Sequence, residues 1–218
     1  MSDDKKQPIA LEERAREAAR MFSPSAARNR DVIREAFLKT MPRSGVILEV
    51  GSGTGEHCVH LAAAAPAVRF LPGDPDVASR ASIAGWAAHH GLSNVAAPHG
   101  VDVSARGWHE AFHPVDGIVS INMIHIAPFA AAEGLFEGAG RLLKGGGRLF
   151  LYGPFSRDGA HIAASNAAFD ESLKSRNPSW GVRDLEREIT PLAEKAGLSL
   201  TAVIDMPANN FSVIFEKA

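Results

Sequence analysis

A single cysteine, Cys58, excludes an internal disulfide framework and fits a chain kept in a reducing compartment such as the cytoplasm. Charge of one sign is also missing. Twenty-three basic against 25 acidic residues give a formal charge of −2, so nothing draws the whole chain onto nucleic acid or an anionic membrane. No apolar run is long enough to span a bilayer, and the opening MSDDKKQPIALEERAREAARM has no apolar core of a secretion signal. Repeats, low-complexity tracts and a dividing linker are absent as well. What is present is ordinary for one large globular domain: 218 residues, 45% hydrophobic and 22% charged, enough to bury a substantial core.

Residues 1–8 are polar and are expected to be disordered. Residues 10–21 predict a charged amphipathic helix, and Ser23 an N-cap for a second helix over about 25–40. From position 46 strands and helices alternate. Strands are expected at 46–50, 68–72, 94–98, 116–121 and 148–152. Helices are expected at 55–64, 77–90, 105–112 and 129–143. A long irregular region, 153–181, precedes a helix at 182–196 and two strands, 198–205 and 211–216. Continuous apolar strands alternating with helices imply a parallel sheet covered on both faces. The short turn joining the last two strands makes that pair antiparallel. The expectation is a single α/β domain over 1–218. It comprises an N-terminal helical extension or lid over 1–40 and a Rossmann-like core over 46–218. The core sheet should have seven mostly parallel strands, the last antiparallel.

The first strand runs into Glu49-Val50-Gly51-Ser52-Gly53-Thr54-Gly55-Glu56-His57. Glycines at a strand-to-helix turn let the backbone bend sharply and approach a ligand. In an open α/β sheet that turn lies at the binding crevice. A dinucleotide fingerprint requires a third glycine at 56, where this chain has Glu56. The spacing Gly51, Gly53, Gly55 after the acidic Glu49 therefore argues against a nicotinamide site. A ligand-free tight turn is the alternative.

The segment ILEVGSGTGEH resembles motif I of the class I S-adenosylmethionine-dependent methyltransferases, over about 46–152. The resemblance implies a Rossmann-like fold and S-adenosylmethionine, or S-adenosylhomocysteine as bound product. It also implies roles: Glu49 at the methionine end of the cofactor, the loop Gly51-Ser52-Gly53-Thr54-Gly55 beneath it, Asp74 at both ribose hydroxyls, and Asp102 at the adenine amino group. A carboxylate supplies the two acceptors that a pair of neighbouring hydroxyls needs. Each acid also has a local reading: Asp74 in an Asx-turn before Pro75, Asp102 as a helix cap. Asp76 reads as the cap of the next helix. The segments SPSAARNRDVI, INMIHIAPF, NPSWGVRDLE and MPANNFSVIF are similar to a methyltransferase-like family catalogued as a domain of unknown function. That likeness implies the same fold and cofactor, and no substrate.

Asn122 and His125 close the strand at 116–121, and Tyr152, the only tyrosine, closes the next. Methyl transfer depends mainly on alignment. His125 is a candidate base, and Asn122 a candidate for orienting the nucleophile or holding the cofactor's amino group. Tyr152 is a candidate pocket wall. The plain reading is structural for each. Arg28 with Asn29 and Asn209 with Asn210 are candidate substrate or lid residues, with turn chemistry as the alternative for the second pair. The region 153–181, with His161, Asn166, Asp170 and Trp180, is long enough to be a lid. The acceptor is expected to be a small molecule. The absent basic patch, and Asn122-Met123-Ile124-His125 in place of the proline-rich motif of nucleic-acid amino-methylases, exclude a nucleic-acid partner. Oligomeric state is not legible.

Other readings are a cofactor-binding module without catalysis, a nicotinamide oxidoreductase, and a zinc protease. The last rests on His109-Glu110-Ala111-Phe112-His113, with Glu133 or Glu137 as a third ligand. Pro114 ends that helix at once, and no metal is expected.

Overall fold

The computed structural model describes residues 14–218. The helix expected over 10–21 is not formed from 14 onward, and its residues 10–13 lie outside the described residues, as does the tail at 1–8. Strands β1 (Ala15–Glu17) and β2 (Arg20–Phe22) form an antiparallel hairpin instead, with Ala18 in the left-handed region at φ 53°. Tertiary anchors override helical propensity here. The amide of Met21 donates to Ser82 Oγ (2.8 Å), and Trp86 Nε1 donates to the Met21 carbonyl (2.9 Å).

Helix α1 (Pro24–Thr40) starts where expected. Ser23 Oγ accepts from the Ala26 amide (3.2 Å), and proline in the first turn has no N–H to leave unpaired. Strand β3 (Gly45–Val50), helix α2 (Glu56–Ala64), strand β4 (Val68–Gly73) and helix α3 (Val77–His89) follow. Strand β5 (Val115–Ile121), helix α4 (Phe129–Leu142) and strand β6 (Leu143–Gly153) complete the alternating part. Helix α5 (Ala164–Arg176) occupies the region expected to be irregular. A π-turn at Leu185–Ile189 leads into the short α6 (Thr190–Lys195), and strands β7 (Leu198–Met206) and β8 (Asn210–Lys217) end the chain.

The main sheet has six strands in the order β4-β3-β5-β6-β8-β7, not seven. Pairs β3–β4, β3–β5 and β5–β6 are parallel, and β8 is antiparallel to both of its neighbours. The missing strand is 94–98. It runs beside β4 but makes only single bridges, at Phe70–Val95 and Gly73–His99. Pro72 and Pro98 lack the N–H groups that two rungs of a parallel ladder would need, so the next rung is made by His99, whose amide donates to the Pro72 carbonyl (2.9 Å).

Both sheet faces are buried, as the strand patterns require. Ile47, Val119, Phe150 and Tyr152 pack with α1 and α2, whereas Leu48, Ile118, Leu149 and Leu151 pack with α4 and α6. The carboxyl ends of β3, β4, β5 and β6 therefore converge at one edge, where crevices form in such sheets. Among the described residues no helix is long and apolar enough to cross a membrane.

Candidate functional site

The turn after β3 is built on left-handed backbone at Gly51, Gly53 and Gly55, with φ of 68°, 56° and 87°. Two of the three also admit close neighbours. A Cβ on Gly51 would lie 2.6 Å from Met123 Cγ, and one on Gly55 would lie 2.7 Å from the Ile83 Cα. Gly51 thus lets the loop after β5 rest on the glycine turn, and Gly55 lets α2 approach α3. Ser52 ties the turn to β4: its amide donates to the Gly73 carbonyl (3.1 Å), and its hydroxyl accepts from the Gly73 amide (3.3 Å).

Asp74, at the end of β4, is 7% exposed. Its Oδ2 accepts from the Gly53 amide (2.8 Å), and its Oδ1 from the Asp76 amide (2.9 Å). The Asx-turn foreseen for it is real, and so is a direct tie to the glycine turn. Burial raises its pKa, and the two N–H donors hold it back. Asp76 caps α3 through Ser79 N (2.7 Å), as expected.

Glu49 is 2% exposed at the end of β3. Burial lifts its pKa to about 7, and its Oε2 has no hydrogen-bond partner. A buried carboxyl oxygen without a partner is costly and fits a site that a ligand donor completes.

Asn122 takes a left-handed conformation, φ 60°. Its amide donates to the Tyr152 carbonyl (2.8 Å), which joins the ends of β5 and β6. Tyr152 is buried. Its hydroxyl is hydrogen-bonded to the Asn29 side chain, although burial still raises its pKa. Asn29 Oδ1 in turn meets His57 Nε2 (2.9 Å). Because an amide oxygen only accepts, His57 carries its proton on Nε2. Burial and the charge of Arg30 lower the His57 pKa to about 4.

A family model described as "Protein of unknown function (DUF938)" matches residues 20–217. The chain belongs to that family. Among solved structures, this DUF938 protein is similar to an O-methyltransferase family 2 protein from Planctomyces limnophilus in complex with apigenin. The TM-score is 0.73 at 20% identity, over 89% of this chain and 60% of that one. It is also similar to CalO1, a methyltransferase in calicheamicin biosynthesis, in its SAH-bound form (TM-score 0.70, 17% identity, 89% and 54% of the two chains). A third is a putative O-methyltransferase from Nostoc punctiforme (TM-score 0.74, 16% identity, 89% and 57%). The DUF938 chain thus has the Rossmann-like methyltransferase fold, and it spans little more than half the length of these neighbours.

Several sequence-predicted residues are buried or have local partners. His125 is fully buried. Its Nδ1 accepts from the Arg183 amide (3.2 Å), so the ring proton sits on Nε2, which has no partner and abuts the Cα of Gly153, where a Cβ would collide with it. Burial and the Arg183 charge push its pKa down to about 3. A ring with no accessible surface and one nitrogen already engaged is not placed to take a proton from an acceptor, and the base reading of His125 is corrected to a packing role. Asp102 is exposed and its Oδ1 accepts from the Ser104 amide (2.9 Å), which is a turn bond and not the helix cap expected, because helical backbone starts only at Trp108. Arg28 is exposed while Asn29 faces α2, so adjacent helix positions split that pair. Asn209 is left-handed at φ 56°, and Asn210 Nδ2 donates to the Pro207 carbonyl (3.0 Å). Both serve the β7–β8 turn. The zinc-protease pattern falls on a four-residue 3₁₀ turn, Trp108–Ala111, with Phe112 already extended, so His109 and His113 do not share an α-helical face.

Sequence reasoning gave no structural role to Glu56, to Asn29's partner His57, or to Ser82, Trp86 and Arg183. Only Glu56 left a signal: it stands where a dinucleotide fingerprint has glycine. Its Oε2 accepts from the Ser23 amide (2.6 Å) and the Thr54 hydroxyl (3.0 Å).

Proposed function

We propose that the protein transfers a methyl group from S-adenosylmethionine to a small-molecule acceptor. The observation that carries this reading is the pairing of the glycine turn with Asp74 through a 2.8 Å hydrogen bond, beside a buried Glu49 with an unpartnered Oε2. The residues present fit the cofactor. Asp74 offers a carboxylate to two ribose hydroxyls, Glu49 offers an acceptor to the methionine ammonium, and the three glycines of the turn between them let the cofactor approach the backbone. S-adenosylmethionine supplies a methyl group on a sulfonium centre, whose sulfur keeps the bonding electron pair when the acceptor takes the methyl. Asn122 and Tyr152 are proposed to line the acceptor side, with Asn29 and His57 fixing the tyrosine hydroxyl. The natural-product methyltransferases among the structural neighbours are consistent with a small acceptor.

A nicotinamide cofactor is disfavoured by Glu56. Its buried carboxylate occupies the start of α2, where a pyrophosphate would require free amides and no negative charge. One observation favours a second reading, a module that binds the cofactor without turnover. Burial of His125 leaves Asn122 and Tyr152, neither of them a base near pH 7, at the ends of β5 and β6. Release of labelled product from a panel of small phenols, amines and thiols separates the two.

S-adenosylhomocysteine at a hundredfold its Kd should stabilise the fold by about 2.7 kcal/mol, which raises the melting temperature by roughly 5–10 °C. NAD should leave it unchanged. Stabilisation by NAD alone would sink the reading. Asp74→Ala should raise the Kd for S-adenosylhomocysteine by about ten- to a hundredfold on calorimetric titration, the loss expected of charged hydrogen bonds. Asp76→Ala should cost about 1 kcal/mol of stability through the lost cap and much less affinity. Equal affinity losses would mean that the ribose carboxylate is misassigned.

A further inference from the structure

Beside the glycine turn lies a side chain that belongs to none of the motifs above. The Cβ that Gly53 lacks would stand 3.9 Å from Arg14 Nη2, and the Arg14 charge acts on Asp74. Arg14 Nε is buried and has no hydrogen-bond partner. A guanidinium N–H withdrawn from water without an acceptor is unfavourable, so this donor is positioned for a group supplied from elsewhere.

The position of Arg14 follows from the hairpin that succeeds it. Strand β2 is stapled across α2 and α3. Besides the bonds of Met21 to Ser82 and Trp86, the Ser23 amide donates to Glu56 Oε2 (2.6 Å). Ser82 Oγ donates to the Thr54 carbonyl (2.7 Å), so one hydroxyl joins the hairpin to the glycine turn itself. The Arg20 guanidinium lies 4.9 Å from the centre of the Trp86 ring, a cation–π contact. Gly85 completes the seat, since a Cβ there would come 3.2 Å from Arg20 Cγ. The hairpin is thus a strap held to the same helices that frame the turn, and it carries Arg14, the residue just before its first strand, to the side of Gly53.

We infer that Arg14 is a cofactor-contacting residue that donates to the ribose oxygens of the adenosyl group while Asp74 accepts their hydrogens. The inference rests on the cofactor reading above. A vicinal diol presents both hydroxyl hydrogens and oxygen lone pairs. Asp74 has only acceptors, and a guanidinium has only donors, so the two side chains satisfy complementary halves of the same group. Proximity of the opposite charges also favours the ionised carboxylate that this recognition needs.

The test is calorimetric titration of the full chain with S-adenosylhomocysteine and with its 2′-deoxy analogue. Arg14→Met should weaken binding of S-adenosylhomocysteine by about tenfold, and Arg14→Lys, which keeps the charge, by about threefold. The unliganded melting temperature of either variant should stay within about 2 °C of the parent's, because the residue lies outside the core. With the 2′-deoxy analogue the loss from Arg14→Met should shrink to about threefold or less, since the missing hydroxyl and the missing guanidinium remove the same contact. A parent that binds S-adenosylhomocysteine and an Arg14→Met variant that binds it equally well would overturn the assignment, as would an undiminished loss with the analogue. A parent that fails to bind S-adenosylhomocysteine would overturn the cofactor reading and this inference with it.

Discussion

Replacing Arg183 with methionine is expected to lower the free energy of unfolding by roughly 2–5 kcal/mol, among the larger effects available to a single side chain outside the sheet. Arg183 is 8% exposed. Its guanidinium donates to three carbonyls, those of Ile124 (3.0 Å), Ala127 (2.7 Å) and Ser179 (2.9 Å), and lies 5.4 Å from the centre of the Phe129 ring. These bonds fasten the segment before α6 to the loop between β5 and α4. The same loop receives two further ties: the Arg183 amide to His125 Nδ1, and the Gly181 amide to the His125 carbonyl (3.0 Å). Methionine keeps much of the packing volume but leaves the carbonyls without donors, at about 1–3 kcal/mol for each that water cannot reach. Relief of the desolvated charge offsets part of that cost; burial already lowers the Arg183 pKa. Urea titration followed by circular dichroism reads the change directly, and the melting temperature should fall by roughly 5–15 °C. A loss under about 1 kcal/mol would show that the guanidinium is dispensable as a clamp. Asn122 and Met123 sit on this loop, so the clamp also fixes the side of the crevice that faces Gly51.

Arg183 shows where sequence reading stops. Its position in NPSWGVRDLE marks no periodicity, cap or ligand pattern, and an arginine bonded only to carbonyls leaves no acidic partner to look for. The turn from Glu49 to Gly55 and its tie to Asp74 were legible because each required a rare residue type at a fixed offset: glycine where φ is positive, an acid where a strand ends. The loss of the strand at 94–98 was legible in principle, through Pro72 and Pro98, since a proline removes its rung wherever it stands. The β1–β2 hairpin was not. LEERAREAARMF has helix-forming residues throughout, and what holds Met21 extended is Ser82 and Trp86, some sixty residues away. His125 misled for a related reason. A histidine just past a strand end looks like a base, and the deciding residue is Gly153 on the neighbouring strand, whose missing side chain makes room for the buried ring.

Acid should unfold the protein from about pH 6.5 downward, with His125 as the main cause. The folded state holds His125 neutral down to about pH 3, whereas in the unfolded chain it protonates near 6.5. Its folded pKa is depressed, so its contribution is complete above the unfolded value and is lost as pH falls through that interval. The fall from 6.5 to about 3 corresponds to on the order of 4 kcal/mol by pH 3. His57, lowered to about 4, acts in the same direction; it is half-buried, and solvent screening reduces its share. Glu49 acts oppositely. Its folded pKa of about 7 exceeds the ordinary glutamate value of 4.5, so folding gains stability from it as pH falls from 7 to 4.5. Between those limits the histidine losses are partly cancelled, and below 4.5 the His125 loss continues uncompensated. Urea unfolding at pH 7.5, 6, 5 and 4 measures the balance. His125→Gln keeps an acceptor for the Arg183 amide while removing the titration, so it should flatten the acid limb even if it lowers stability at pH 7.5. Glu49→Gln should steepen the fall between pH 7 and 4.5. An acid limb of unchanged slope in His125→Gln would assign the loss to other groups, first among them Asp170 and Asp184, whose pKa values are lowered and whose contributions disappear only below about pH 4.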